Sequence, residues 1–171
     1  MSELKNLIKI VKRLRSDDGC EWDKKQTAES LTPHLLEEAN EVVDAILEKN
    51  NDNLKEELGD LLLHIVFQAV IASEKKLFEV EDIIKTVNHK LIERHPHIFD
   101  KNYNGEDQSR IKNWELNKKI EKNRQSILDG MPKSLSSLIV AQRYQDKTGA
   151  VGFEWENYNQ AMDKVDEELN E

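Results

Sequence analysis

The run LLLHIVFQAVIA, Leu61–Ala72, is apolar on almost every side of a helix. A helix of that kind has to be buried over most of its surface. The chain has 171 residues, of which 35% are charged and 37% hydrophobic. One small bundle with that composition has little apolar material to cover such a helix. The expectation is therefore a subunit interface, a homodimer or a dimer of dimers formed through this third helix.

The remaining periodicity is also helical, and the expected fold class is all-α. Leu4, Leu7, Ile8, Val11 and Leu14 mark a first helix. RSDDGCEWDKKQT, residues 15–27, reads as a polar loop around a buried Trp22. Thr32 can cap a second helix and Pro33 suits its first position. That helix runs to about Lys49, and NNDN, residues 50–53, is a short turn into the third, from about Leu54 to Lys75. Further helices are expected over about Val80–Arg94, Ser109–Arg124 and Leu135–Lys147, and from Tyr158 onward. The second to fifth of these form an antiparallel bundle. Residues 1–125 are read as the catalytic domain and 126–171 as a connector with a helical extension.

The second helix carries Glu38 and Glu41, and the third carries Glu57 and Asp60. Three residues along a helix return to nearly the same side, so each pair shares a face. Antiparallel packing would bring the pairs together, and converging carboxylates need a cation. Oxygen-only ligands suit Mg²⁺, with Mn²⁺ as a substitute. Gly59 sits inside the second pair at a cost in helix stability, which suggests close approach by a backbone or ligand. Acids are abundant, however, at 34 in 171 residues. Spacing alone fits a solvated face as well as a metal site.

Other residues are equally open on their own. Lys90 and Arg94 share one side of their helix, as surface charge or as an anion clamp. Trp22 with Gln26 and Thr27 suits a nucleobase, or Trp22 plugs one end of the bundle. His64 reads as a hydrogen-bonded core or interface histidine, and His95 and His97 as helix-end capping groups.

Taken in order, GCEWDKKQT, LLEEANEVVDAI, EELGDLLLHIVFQA, KLIERHPHIF, the W-E-x-x-K at 114–118 and VGFEW at 151–155 resemble the MazG-type nucleoside triphosphate pyrophosphohydrolases. The resemblance covers essentially the whole chain. It implies an all-α, dimer-based enzyme that hydrolyses nucleoside triphosphates to monophosphate and pyrophosphate in nucleotide-pool housekeeping. It implies that Glu38, Glu41, Glu57 and Asp60 are the catalytic Mg²⁺ ligands. It also implies that Lys90, Arg94, Trp114 and Lys118 contact the triphosphate, and that the Trp22, Gln26 and Thr27 segment lies near the nucleotide. Glu37 keeps two readings, a water-orienting acid or a solvent-facing one. Where the family often has Pro before this Trp, the chain has Glu21.

The C-terminus repeats the acidic motif at Glu167, Glu168 and Glu171 with no E-x-x-D after it. This resembles the opening of a second domain in the tandem members, and no complete site is expected there. The net charge of -9 disfavours stable nucleic-acid binding, because phosphate backbones recruit Lys and Arg. One cysteine, no signal peptide and no membrane-length apolar run suit a cytoplasmic protein. The alternative to an enzyme is a regulatory module that binds nucleotide or a protein partner with weak or no activity.

Overall fold

The computed structural model describes residues 3–101 and 122–171, and its regular structure is entirely helical. The helices are α1 (Glu3–Leu14), α2 (Glu21–Lys25), α3 (Thr32–Leu47), α4 (Asn51–Glu74), α5 (Val80–Arg94), α6 (Pro96–Phe99), α7 (Ser137–Gly149) and α8 (Tyr158–Asn170). The expected all-α class is the observed one. The chain divides into two compact units, Met1–Lys90 and Leu91–Glu171. The expected helix over Ser109–Arg124 falls mostly outside the described residues, and residues 122–123 are turn.

The core of the first unit lies where α1 crosses α4. Val11 and Leu31 are buried with Val66, Phe67, Val70 and Ile71, flanked by Leu4, Leu7, Ile8 and Leu63. This changes the reading of the apolar run. Its second half, Val66 to Ala72, is covered within the chain by α1 and Leu31. No partner is needed to account for it. What stays open is the first half, with Leu58, Leu62 and Ile65 each more than 40% exposed.

α3 packs along α4 as a helical hairpin. The link is shorter than the sequence suggests, because α4 begins at Asn51, inside the expected turn. The Asn50 side chain accepts from the Asn53 amide at 3.2 Å and caps α4. Lys49 takes a left-handed φ of 56°, and the Asn50 amide donates to the Ala45 carbonyl at 3.0 Å, closing α3 as a Schellman turn. Such a tight reversal makes the two helices antiparallel. At the other end of α3 the cap is Leu31, with Thr32 already helical.

Gly59 is not crowded. Among the described residues, a Cβ built there meets nothing within 4 Å and no neighbouring backbone explains the glycine. Gly59→Ala should therefore stabilise the isolated chain by about 1 kcal/mol, read as a higher urea midpoint with an unchanged slope.

The second unit contains α6, α7 and α8. His95 Nδ1 lies 2.7 Å from the Leu91 carbonyl, in keeping with its expected helix-ending role. The VGFEW stretch turns back on α7, with the Phe153 amide donating to the Thr148 carbonyl at 2.9 Å and Gly152 at φ 88°. Lys164 pairs with both Glu167 and Glu168, so two acids of the repeated motif share one local cation. No described helix is long and apolar enough to cross a membrane.

Candidate active site

The α3–α4 hairpin brings acids from both helices to one place. One carboxylate oxygen from each of Glu38, Glu41 and Glu57 lies within 4.8 Å of the others. Glu38 and Glu57 are half-buried and Glu41 is exposed. Asp60, one turn on from Glu57, stands outside this mutual set of three but is half-buried beside it. Its charge acts on both half-buried glutamates.

The electrostatics are those of clustered like charges. Burial pushes the Glu38 carboxyl above its ordinary value, and Asp60, Glu41 and Glu37 add to the shift. Burial likewise raises Glu57, with Glu41, Glu56, Glu38 and Asp60 contributing. Among the described residues, no Lys or Arg ion pair neutralises any of the four. Like charges held this close disfavour their own ionisation. A divalent cation relieves that repulsion, and an all-oxygen donor set fits a hard one. The donor set therefore passes the test of chemistry for Mg²⁺ or Mn²⁺.

Glu37 does not join the cluster. Its Oε2 lies 3.6 Å from His34 Nδ1, and its side chain is mostly exposed. That favours the solvent-facing reading over a water-orienting one.

Three ring systems lead from the surface to the acids. Trp22 meets His34 edge-on with centroids 6.3 Å apart, and His34 stacks on His64 at 6.3 Å. His64 Nε2 then lies 3.8 Å from Glu38 Oε1. The expected hydrogen bonding of His64 is not found among the described residues, where its Nδ1 is buried with no partner. Burial and His34 lower the His64 pKa, so the ring is neutral near pH 7. A proton on Nε2 presents a donor to the carboxylate and leaves only a lone pair on the orphaned side.

Trp22 is 56% exposed, so it is neither buried nor a plug in the bundle. It lies in α2, a short helix inside the stretch read as loop. Gln26 and Thr27 are engaged in shaping that stretch. Gln26 Nε2 donates to the Trp22 carbonyl at 3.1 Å, and Ser30 Oγ donates to Gln26 Oε1 at 2.7 Å. Thr27 Oγ1 accepts from the Ser30 amide at 3.1 Å. Lys90 and Arg94 are half-buried, one turn apart on α5. Trp114 and Lys118 lie outside the described residues.

Residues 26–99, which span all four acids, match the MazG nucleotide pyrophosphohydrolase domain. The stretch that holds the acids is thus similar to a MazG domain. It is 45% identical to the nucleoside triphosphate pyrophosphohydrolase/pyrophosphatase MazG of Thermotoga maritima, over 96% of this chain and 64% of that protein. It is 39% identical to the nucleoside triphosphate pyrophosphohydrolase of Escherichia coli K12, over 100% of this chain and 66% of that one. A Mycobacterium tuberculosis protein of the same name is 36% identical over 77% of this chain and 41% of its own length. The chain thus spans a little under two thirds of the first two relatives. The MazG match starts at Gln26, so Arg15 and Trp22 precede it.

Arg15 had no signal in the sequence. It lies in the stretch read as a polar loop, yet its side chain is only 7% exposed. Its Nε and Nη2 each donate to a Glu74 oxygen at 2.7 Å. These bonds hold Glu74 below the ordinary carboxylate range. Stability from the pair is fully present above the ordinary Glu pKa and is lost as pH falls through the lowered one. In thermal melts across pH, the gap between wild type and Glu74→Gln should be widest near neutrality. It should close on acidification below the ordinary Glu range.

Proposed function

We propose that this chain is a MazG-type enzyme that hydrolyses nucleoside triphosphates to the monophosphate and pyrophosphate, with Mg²⁺ held by Glu38, Glu41, Glu57 and Asp60. The observation that carries the reading is the convergence of carboxylates from α3 and α4 at one point, uncompensated by any described cation. The relatives' printed names support the reaction. When bound, the cation neutralises phosphate oxygens and makes water more acidic.

The protein's own groups do the positioning that phosphoryl transfer chiefly needs. Glu38, Glu41 and Glu57 fix the point at which the phosphates are held. Lys90 and Arg94, with Trp114 and Lys118, bind the triphosphate oxygens. Trp22 offers its exposed face to the base, while Gln26 and Thr27 keep the segment behind it folded. Water attacks the α-phosphorus in line with the departing pyrophosphate. Leu58, Leu62 and Ile65 on α4, with the exposed Val43 and Leu47 on α3, pair with a second copy of the chain. The setting is cytoplasmic housekeeping of nucleotide pools.

The test is pyrophosphate release from the common ribo- and deoxyribonucleoside triphosphates, with and without Mg²⁺, in ¹⁸O-water. The expected label is in the monophosphate. Label confined to pyrophosphate would place the attack elsewhere. Binding of Mg²⁺-nucleotide without release from any triphosphate would identify a regulatory module instead.

A further inference from the structure

The segment that carries Trp22 is tied down from beneath at three places, and the tightest tie is the buried guanidinium of Arg15. Its fork toward Glu74 leaves Nη1 free to turn the other way. Nη1 donates to the Asp23 carbonyl at 2.5 Å and to the Gln26 carbonyl at 3.1 Å. Those carbonyls lie at the C-terminal end of α2, where the Asp23 carbonyl also accepts from the Gln26 amide at 3.2 Å. From α4, Gln68 Nε2 donates to the Ala28 carbonyl at 3.0 Å. At the entry, the Cys20 amide donates to the Leu14 carbonyl at 2.7 Å, and a Cβ on Gly19 would come within 2.1 Å of that carbonyl oxygen. Every tie is made to backbone. The carbonyls of Asp23, Gln26 and Ala28 face inward and the Trp22 ring is left exposed.

We propose that Arg15 is a positioning residue for the nucleotide, acting through the α2 segment so that Trp22 is held ready to meet the base. This rests on the pyrophosphohydrolase reading above. The chemistry requires arginine. A planar fork binds both carboxylate oxygens of Glu74 while its remaining nitrogen spans two carbonyls. A lysine ammonium in the same place keeps the charge and one partner, and cannot span the rest. Glu74 orients the guanidinium, and α1 and α4 supply the rigid base.

The experiment compares wild type, Arg15→Lys and the core variant Val70→Ala in the full chain. Hydrolysis of the preferred triphosphate is followed together with thermal melting and hydrogen exchange over residues 20–28. Arg15→Lys should raise KM about 10-fold and leave kcat within about twofold, since misplacement of a binding group acts through substrate positioning. Its amides at 20–28 should exchange faster. Val70→Ala should lose comparable Tm with KM unchanged. Gln68→Leu removes a second tie without touching the Arg15–Glu74 pair and should shift KM the same way, which covers the case of an Arg15 variant that does not fold. Unchanged KM in an active Arg15→Lys protein overturns this inference alone. So does an equal KM rise in Val70→Ala, which would reduce Arg15 to general stability. A wild type that neither hydrolyses nor binds any triphosphate overturns the functional reading, and this inference with it.

Discussion

Glu38→Gln should lower pyrophosphate release by about 10³-fold or more while the protein stays folded. Glu38 is a half-buried member of the cluster, and its oxygen lies within 4.8 Å of oxygens from both α3 and α4 acids. The amide keeps the shape and removes the charge. A tenfold rate change corresponds to about 1.4 kcal/mol, and loss of charge stabilisation by a bound cation is worth several kcal/mol. Stability should not fall in step. The Glu38 carboxyl is already pushed toward its neutral form by burial and by Asp60, so the neutral variant relieves repulsion that the metal-free fold bears. Steady-state rates with Mg²⁺, set beside thermal melts without it, check both halves of the expectation. Equal activity in wild type and variant would remove Glu38 from the site.

The second large effect is on the fold. Phe67→Ala should cost about 3–5 kcal/mol, the range for deleting a buried aromatic ring where neighbours cannot close the gap. Phe67 is 5% exposed and packs with Val11, Leu31, Val66, Val70 and Ile71. Those contacts are made inside one chain. The loss should appear as a lower urea midpoint that does not depend on protein concentration. A strong concentration dependence would return this half of α4 to a subunit interface, as its all-round apolar sequence suggested.

That helix shows where sequence periodicity stops being informative. The pattern of α4 states that it must be buried, and it is; it does not state by what. The answer lies in α1 and Leu31, which are remote in sequence from Val66–Ala72. Boundaries set by strong local chemistry were legible: α5 begins at Val80 and ends at Arg94, before His95–Pro96, and α8 begins at Tyr158. The helix caps were not. Leu31 rather than Thr32 caps α3, and α4 starts three residues early because Asn50 closes it.

The acids were legible because helical spacing and a short hairpin link dictate which of them can converge. Three do so at ligand distance, and Asp60 takes part through its charge. The surroundings of the acids were hidden for a physical reason. Trp22 looked buried because indole is large and apolar, but its segment is held by its carbonyls, which carry no sequence signature. Arg15 carried no signal because its partners are Glu74 and two carbonyls. His64 looked like a satisfied core histidine, whereas its Nε2 faces Glu38 and its Nδ1 has no partner among the described residues. Side-chain chemistry can be read along a chain; the backbone groups that it meets cannot.

The most direct measurement is Mn²⁺ binding at neutral pH, followed by electron paramagnetic resonance for wild type, Glu41→Gln and the distant variant Glu167→Gln. The cluster account predicts that wild type binds Mn²⁺, that Glu41→Gln binds it at least tenfold more weakly, and that Glu167→Gln matches wild type. Equal binding by Glu41→Gln, or no binding by wild type with a triphosphate present, would contradict it.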